Sequence, residues 1–146
     1  MEDKPIELFK NEKQFQKCCR WWQHKLFLDN WFIIFVMTDQ LLKESDGVNE
    51  RLISGMCEYE FNNKEATITI CNTKENDDVN FMRNISELTV IHELLHLKNE
   101  YLVDLDNPED KNFHQYIAHQ GLEEMAKTLL MTKYNLDYNY FLGSGN

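Results

Sequence analysis

His92, Glu93 and His96 are the side chains of this sequence whose types and spacing best suit chemistry. They stand in His92-Glu93-Leu94-Leu95-His96, an H-E-x-x-H pattern. On a helix the two histidines lie one turn apart on one face. Two imidazoles so spaced can bind one zinc ion. Glu93 sits on the flank of that face, where its carboxylate can reach a metal-held water and take its proton. The neighbours argue against a chance match. Val90, Ile91, Leu94, Leu95 and Leu97 would bury the helix, and an ionisable triplet buried among them needs a compensating partner.

The stretch 85–101 also reads as a helix. Leu88, Ile91 and Leu95 recur at i, i+3 and i+7, with no Pro or Gly between them. Asn84 is a candidate cap, and Glu87, three residues on, is its capping-box partner.

Two histidines fall short of a catalytic zinc set, which usually has three protein groups plus water. The candidates for the third ligand are Glu123, Glu124, His114 and His119. Glu123 lies at the edge of a Leu122, Ala126 and Leu130 stripe, whereas Glu124 points roughly 160° to 170° away from its centre. A ligand must face the core, which favours Glu123. His119 lies one turn before Glu123 on the same side and could instead donate to a ligand or to an oxyanion. Tyr101, Tyr116 and Tyr134 are further oxyanion donors among which nothing in the sequence selects.

His92-Glu93-Leu94-Leu95-His96 on an apolar helix resembles the zincin metallopeptidases. The small size, an N-terminal helix, a short sheet before the motif and a downstream Glu narrow the likeness. The chain is most similar to minimal zincins of the ImmA/IrrE and phage metallopeptidase type. The order of elements is similar over most of the chain, but only the five-residue motif is specific. The resemblance implies zinc, peptide-bond hydrolysis and a third protein ligand from a later helix. Those families place a Glu at the start of such a helix, which agrees with Glu123. A metal-activated water would attack the peptide carbonyl, with Glu93 as general base passing the proton on to the leaving amine. Related folds also pair extended substrate with a strand beside the motif helix, and 65–71 is the candidate strand. His114 as third ligand would instead resemble the SprT-like group of three histidines. Gln-Tyr-Ile follows His114, however, where that group has a small residue.

The elements that must position the motif are legible around it. A helix is expected over 8–26, with Leu8, Phe15, Cys18 or Cys19, Trp22 and Leu26 on one stripe. Of the adjacent Trp21 and Trp22, only one can face the core. His24 reads as a boundary or surface residue. Residues 31–38 are nearly all apolar and read as a central strand buried on both faces. Residues 41–53 are mixed and charged, with a turn at Gly47, and read as loop or short helix. Segments 55–62 and 65–71 alternate polar with apolar and form a hairpin around Asn62-Asn63-Lys64. Residues 72–80 are a polar, acidic loop. Asn107-Pro108-Glu109-Asp110 starts a helix. Its Phe113, Tyr116 and Ile117 stripe opposes the stripe after Leu122, so a break near Gly121 is expected, giving two helices.

Length and composition bound the rest. With 146 residues, 42% of them hydrophobic and 27% charged, the chain suits a single globular domain over 1–146. A net charge of −10 disfavours nucleic-acid binding. No signal peptide is visible, and the apolar run 31–37 is too short to cross a bilayer. Cys18, Cys19, Cys57 and Cys71 include no C-x-x-C pair and read as reduced thiols of a cytoplasmic protein. The expected fold is α+β: an N-terminal helix, a small, mainly antiparallel sheet, the motif helix and C-terminal helices. The expected function is that of a zinc-dependent peptidase acting on a peptide or protein substrate. The alternative is a zinc-containing binding or regulatory module with little or no proteolysis. An intact Glu93 favours the enzyme, because a binding site needs only ligands.

Overall fold

Asn11 opens the first helix, accepting the Gln14 N–H at 2.8 Å and capping α1 (Glu12–Lys25). The structure, a computed structural model, describes residues 3–45, 47–48, 50–74, 85–99 and 108–141, with the backbone alone for 51 and 108–119. The cap starts α1 later than the expected 8–26. Phe15, Cys18, Cys19 and Trp22 form its buried stripe, and Trp21 is left at the surface.

Five strands follow: β1 (Phe32–Thr38), β2 (Leu42–Ser45), β3 (Glu50–Ile53), β4 (Gly55–Glu60) and β5 (Glu65–Cys71). β1, β5 and β4 form one sheet in that order, and β2 pairs with β3 in a second. β5 runs parallel to β1, with Phe35 opposite Ile68, and antiparallel to β4, with Cys57 opposite Ile68. The fold is α+β, as expected; the three-stranded sheet is mixed and the two-stranded one antiparallel.

Three local expectations are corrected. Residues 31–38 do not make a central strand. β1 is an outer strand that buries Ile33 and Phe35, while Phe32 is 68% and Ile34 50% exposed. An unbroken apolar run carries no period from which to read which face is covered. The central place belongs to β5, whose two sides are both paired, so 65–71 cannot take an extended substrate as an edge. Residues 41–53 are not loop or helix but the antiparallel pair β2 and β3, with Leu42 opposite Ile53. Lys and Glu on a half-exposed ribbon hide its strand pattern, although the turn at Gly47 (φ 91°) falls where expected. The β4–β5 turn also lies as read, with Lys64 in the left-handed region at φ 55°.

The motif helix α2 (Ser86–Asn99) covers the inner sheet face and is buried along most of its length. α3 (Pro108–Tyr134) packs against it as one continuous helix, contrary to the expected break at Gly121. A Cβ on Gly121 would meet nothing within 4 Å, so no close contact demands glycine there. A mid-helix glycine costs only about 1 kcal/mol. Burial of Leu122, Ala126 and Leu130 in the common core offsets that cost. The start at Pro108 is as expected.

The start of α2 is held by the backbone of the segment before α1. Asn84 lies outside the described residues. The Ser86 and Glu87 N–H groups donate to the carbonyls of Glu7 (3.0 Å) and Ile6 (3.1 Å). Among the described residues, Glu87, 0% exposed, is met from outside its own helix. Its carboxylate accepts the Ile6 N–H at 3.0 Å, Trp22 Nε1 at 2.9 Å, Lys133 Nζ at 2.7 Å and the Tyr134 hydroxyl at 2.7 Å. A buried charge is tolerable when it is paired and its lone pairs are filled in this way. Glu87→Ala strands Lys133 and three further donors, so urea unfolding should report a loss of about 3–5 kcal/mol. A loss under about 1 kcal/mol would mean that the network contributes little.

Candidate metal site

On α2, Leu88, Val90, Ile91, Leu94, Leu95 and Leu97 are buried, and the helix carries its ionisable groups into that apolar setting. His92 is 8% and Glu93 6% exposed, and His96 is half-buried. The two rings, one turn apart, have centroids 5.0 Å apart at 73°. One potential ligand atom from each of His92, Glu93 and His96 lies within 4.8 Å of the others. His96 Nε2 and Glu93 Oε1 are 4.0 Å apart.

α3 runs antiparallel to α2 and delivers Glu123, whose Oε2 is 2.8 Å from His92 Nδ1. Its Oε1 lies 3.8 Å from Lys127 Nζ. Glu124 is exposed, so the continuous helix keeps the phase that separates these two neighbours. Tyr134, one of the candidate oxyanion donors, spends its hydroxyl on Glu87. The side chains of His114, Tyr116 and His119, and the whole of Tyr101, lie outside the described residues. His24 is exposed and pairs with Asp29 at 2.9 Å. All four cysteines are free, and Cys71 Sγ donates to the Gln40 carbonyl at 3.2 Å.

No known protein family, curated protein or solved structure matches this chain. What is known of the site therefore comes from its own geometry.

Two neighbours of the site went unread in the sequence. Gly55 opens β4 hard against α2. A Cβ there would stand 2.7 Å from Thr89 Cγ2, 3.0 Å from the Thr69 carbonyl oxygen and 3.2 Å from Glu93 Cγ. Glycine thus lets the strand begin beside Glu93. Its place before an alternating strand was visible, but what it packs on was not. Glu44 on β2 is the second, close enough for its charge to act on Glu93. Only the pairing of β2 with β3 brings that segment near the site.

Burial pushes the Glu93 carboxyl up to about 7; His92 opposes the shift, and the negative charges of Glu123 and Glu44 add to it. Burial alone would lower the pKa of His92. The hydrogen bond to Glu123 and the charges of Glu93 and Glu123 outweigh burial, and the net shift is upward.

In the metal-free protein both shifts favour the protonated folded state. For Glu93, the stabilisation is complete below its ordinary value of 4.5 and is lost as pH rises through about 7. For His92 it is present below 6.5 and lost at higher pH. Chelator-treated protein should therefore lose stability between pH 5 and pH 8, by on the order of 3 kcal/mol from Glu93. Glu93→Gln, which carries no charge to bury, should flatten most of that fall. Denaturant midpoints that stay level across this range in the parent would rule out a buried, charge-averse Glu93.

Proposed function

We propose that this chain is a zinc-dependent peptidase of the zincin kind, with His92, His96 and Glu123 holding the metal and Glu93 as general base. The observation that carries this reading is the convergence of His92, Glu93 and His96 inside the apolar body of α2. Their chemistry suits zinc: two imidazoles and a carboxylate, with an open position, are a catalytic donor set. Other divalent ions also take imidazole and carboxylate, so metal content belongs in the test.

Bound zinc supplies Lewis acidity, polarising a carbonyl and making water acidic near neutral pH. Glu93 handles the proton. Its carboxylate accepts one from the water that attacks the carbonyl carbon and delivers it to the departing amine nitrogen. In the metal-free protein burial pushes its carboxyl up to about 7, and beside a bound cation it would be drawn back down toward the charged form a base needs. Leu94, Leu95 and Val90 keep the surroundings apolar, which strengthens each of these interactions. The 2.8 Å approach of Glu123 to His92 Nδ1 also favours a second role for Glu123. A carboxylate on the far nitrogen of a ligating histidine fixes its tautomer and ring orientation without touching the metal.

The substrate in this reading is an extended peptide or protein segment. β4, an outer strand that begins against Glu93, replaces 65–71 as the strand beside which it would lie. The whole chain 1–146 would act as one unit. Its charge of −10 gives no reason to expect nucleic acid. Free thiols suit a reducing cytoplasm. Among the described residues no helix is long and apolar enough to cross a membrane.

Protein purified without added metal should contain one zinc per chain by elemental analysis, and His92→Ala with His96→Ala should lose it. A full equivalent in the double variant would place the metal elsewhere. Glu93→Gln should keep zinc and fold yet hydrolyse a peptide-library substrate about 10²–10⁴-fold more slowly. Glu123→Ala should weaken zinc itself, by about 10–100-fold if Glu123 only orients His92 and by more if it is a ligand. Parental cleavage by Glu93→Gln would refute the assigned base. Stoichiometric zinc without cleavage of any peptide by the parent would favour the binding or regulatory module.

A further inference from the structure

α2 and α3 are tied at two places. Near the start of α2, Glu87 meets Lys133 and Tyr134 from the end of α3. Five residues along α2, about 7.5 Å of rise, His92 meets Glu123. Between the two ties, Ala126 and Leu130 supply apolar packing. Such packing resists separation, but it is non-directional and fixes an axial position poorly. A slip of one residue is about 1.5 Å of rise, enough to stretch and misalign a 2.8 Å contact. The Glu87 tie is directional and held from all sides. Lys133 Nζ stands 4.1 Å, 5.1 Å and 4.9 Å from the ring centres of Trp21, Trp22 and Tyr134. Trp22 Nε1 and the Ile6 N–H occupy the remaining acceptor positions of the carboxylate.

We propose that Lys133 and Tyr134 are positioning residues for the metal site: by gripping Glu87 they set the alignment of α3 on α2 that holds Glu123 against His92. The proposal rests on reading His92, Glu93 and His96 as a metal site. Lys133 and Tyr134 are held on Glu87, about three turns along α3 from Glu123. Both act through the helix they share with Glu123.

The test is a Zn²⁺ titration of the full chain against a chromophoric chelator. Tyr134→Phe removes a single hydroxyl and keeps the ring, so it should fold even where Glu87→Gln does not. Tyr134→Phe and Lys133→Met should each bind Zn²⁺ about tenfold more weakly. Ile33→Val, a core change on β1 that touches neither tie, should bind like the parent. In a Glu123→Ala background, Tyr134→Phe should cause no further loss, because the residue it acts through is gone. An equal loss in both backgrounds, a loss in Ile33→Val as large as in Tyr134→Phe, or parental binding by both α3 variants overturns the proposal. A metal-independent readout separates this failure from that of the site. In metal-free protein with ¹⁵N-labelled histidine, the His92 ring signals of Tyr134→Phe should move toward those of Glu123→Ala. If they move while the parent binds no Zn²⁺, the positioning stands and the metal reading falls. If they stay at the parental values, the positioning falls.

Discussion

A carboxylate with no access to water is the constraint around which this fold closes. Glu87 must be met by donors wherever it is buried, and its four donors come from three parts of the chain. The segment before α1 gives a backbone N–H, α1 gives an indole, and α3 gives an ammonium and a hydroxyl. The same segment returns two carbonyls to the first N–H groups of α2, which would otherwise be orphaned. Burying an ion pair is weak evidence for stability, since apolar residues of the same shape can do as well. Its worth lies in direction. Hydrophobic contacts could hold α1, α2 and α3 together in several alignments, whereas a carboxylate with two oxygens and four donors admits few.

The candidate site depends on that frame and pays part of its stability for it. Two imidazoles and two carboxylates are crowded into a helix and its neighbour, with Glu44 adding a further negative charge. In the absence of a cation, charge at Glu93 is unfavourable, and the fold tolerates it because the apolar body of α2 is large and well packed. Gly55 shows how tight the packing is, since even a methyl group on β4 would press into Thr89 and Glu93.

What the sequence revealed follows from what is local. His92, Glu93 and His96 are one turn of helix, so their convergence needs only helical periodicity, and α2 is where the pattern places it. The turning of Glu123 toward α2 and of Glu124 to the surface was within reach of the same reasoning, through their phase relative to Leu122 and Ala126. The turn at Lys64 and the alternation of β5 were likewise legible. The failures share one cause, which is that they depend on partners distant in sequence. Glu87 matches a capping box in spacing, and nothing local says that Lys133 and Tyr134 will claim it. β1 is nearly all apolar, and only the helices that join Ile33 and Phe35 in the core decide that Phe32 and Ile34 face outward. Gly121 signals a break by composition, but burial of its neighbours overrides it. The β2–β3 ribbon is charged enough to pass for loop.

The meeting of the Ile6 backbone with Glu87 has a kinetic side. Those residues are 81 positions apart, and Glu87 and Tyr134 another 47. Contacts of such separation form late, because the entropy of closing the intervening chain must be met before they give anything back. Until both are made, the first turn of α2 has neither its carbonyl partners nor a neutralised Glu87. The first turn of the helix bearing His92 and His96 therefore gains these partners only when the remote parts of the chain have arrived.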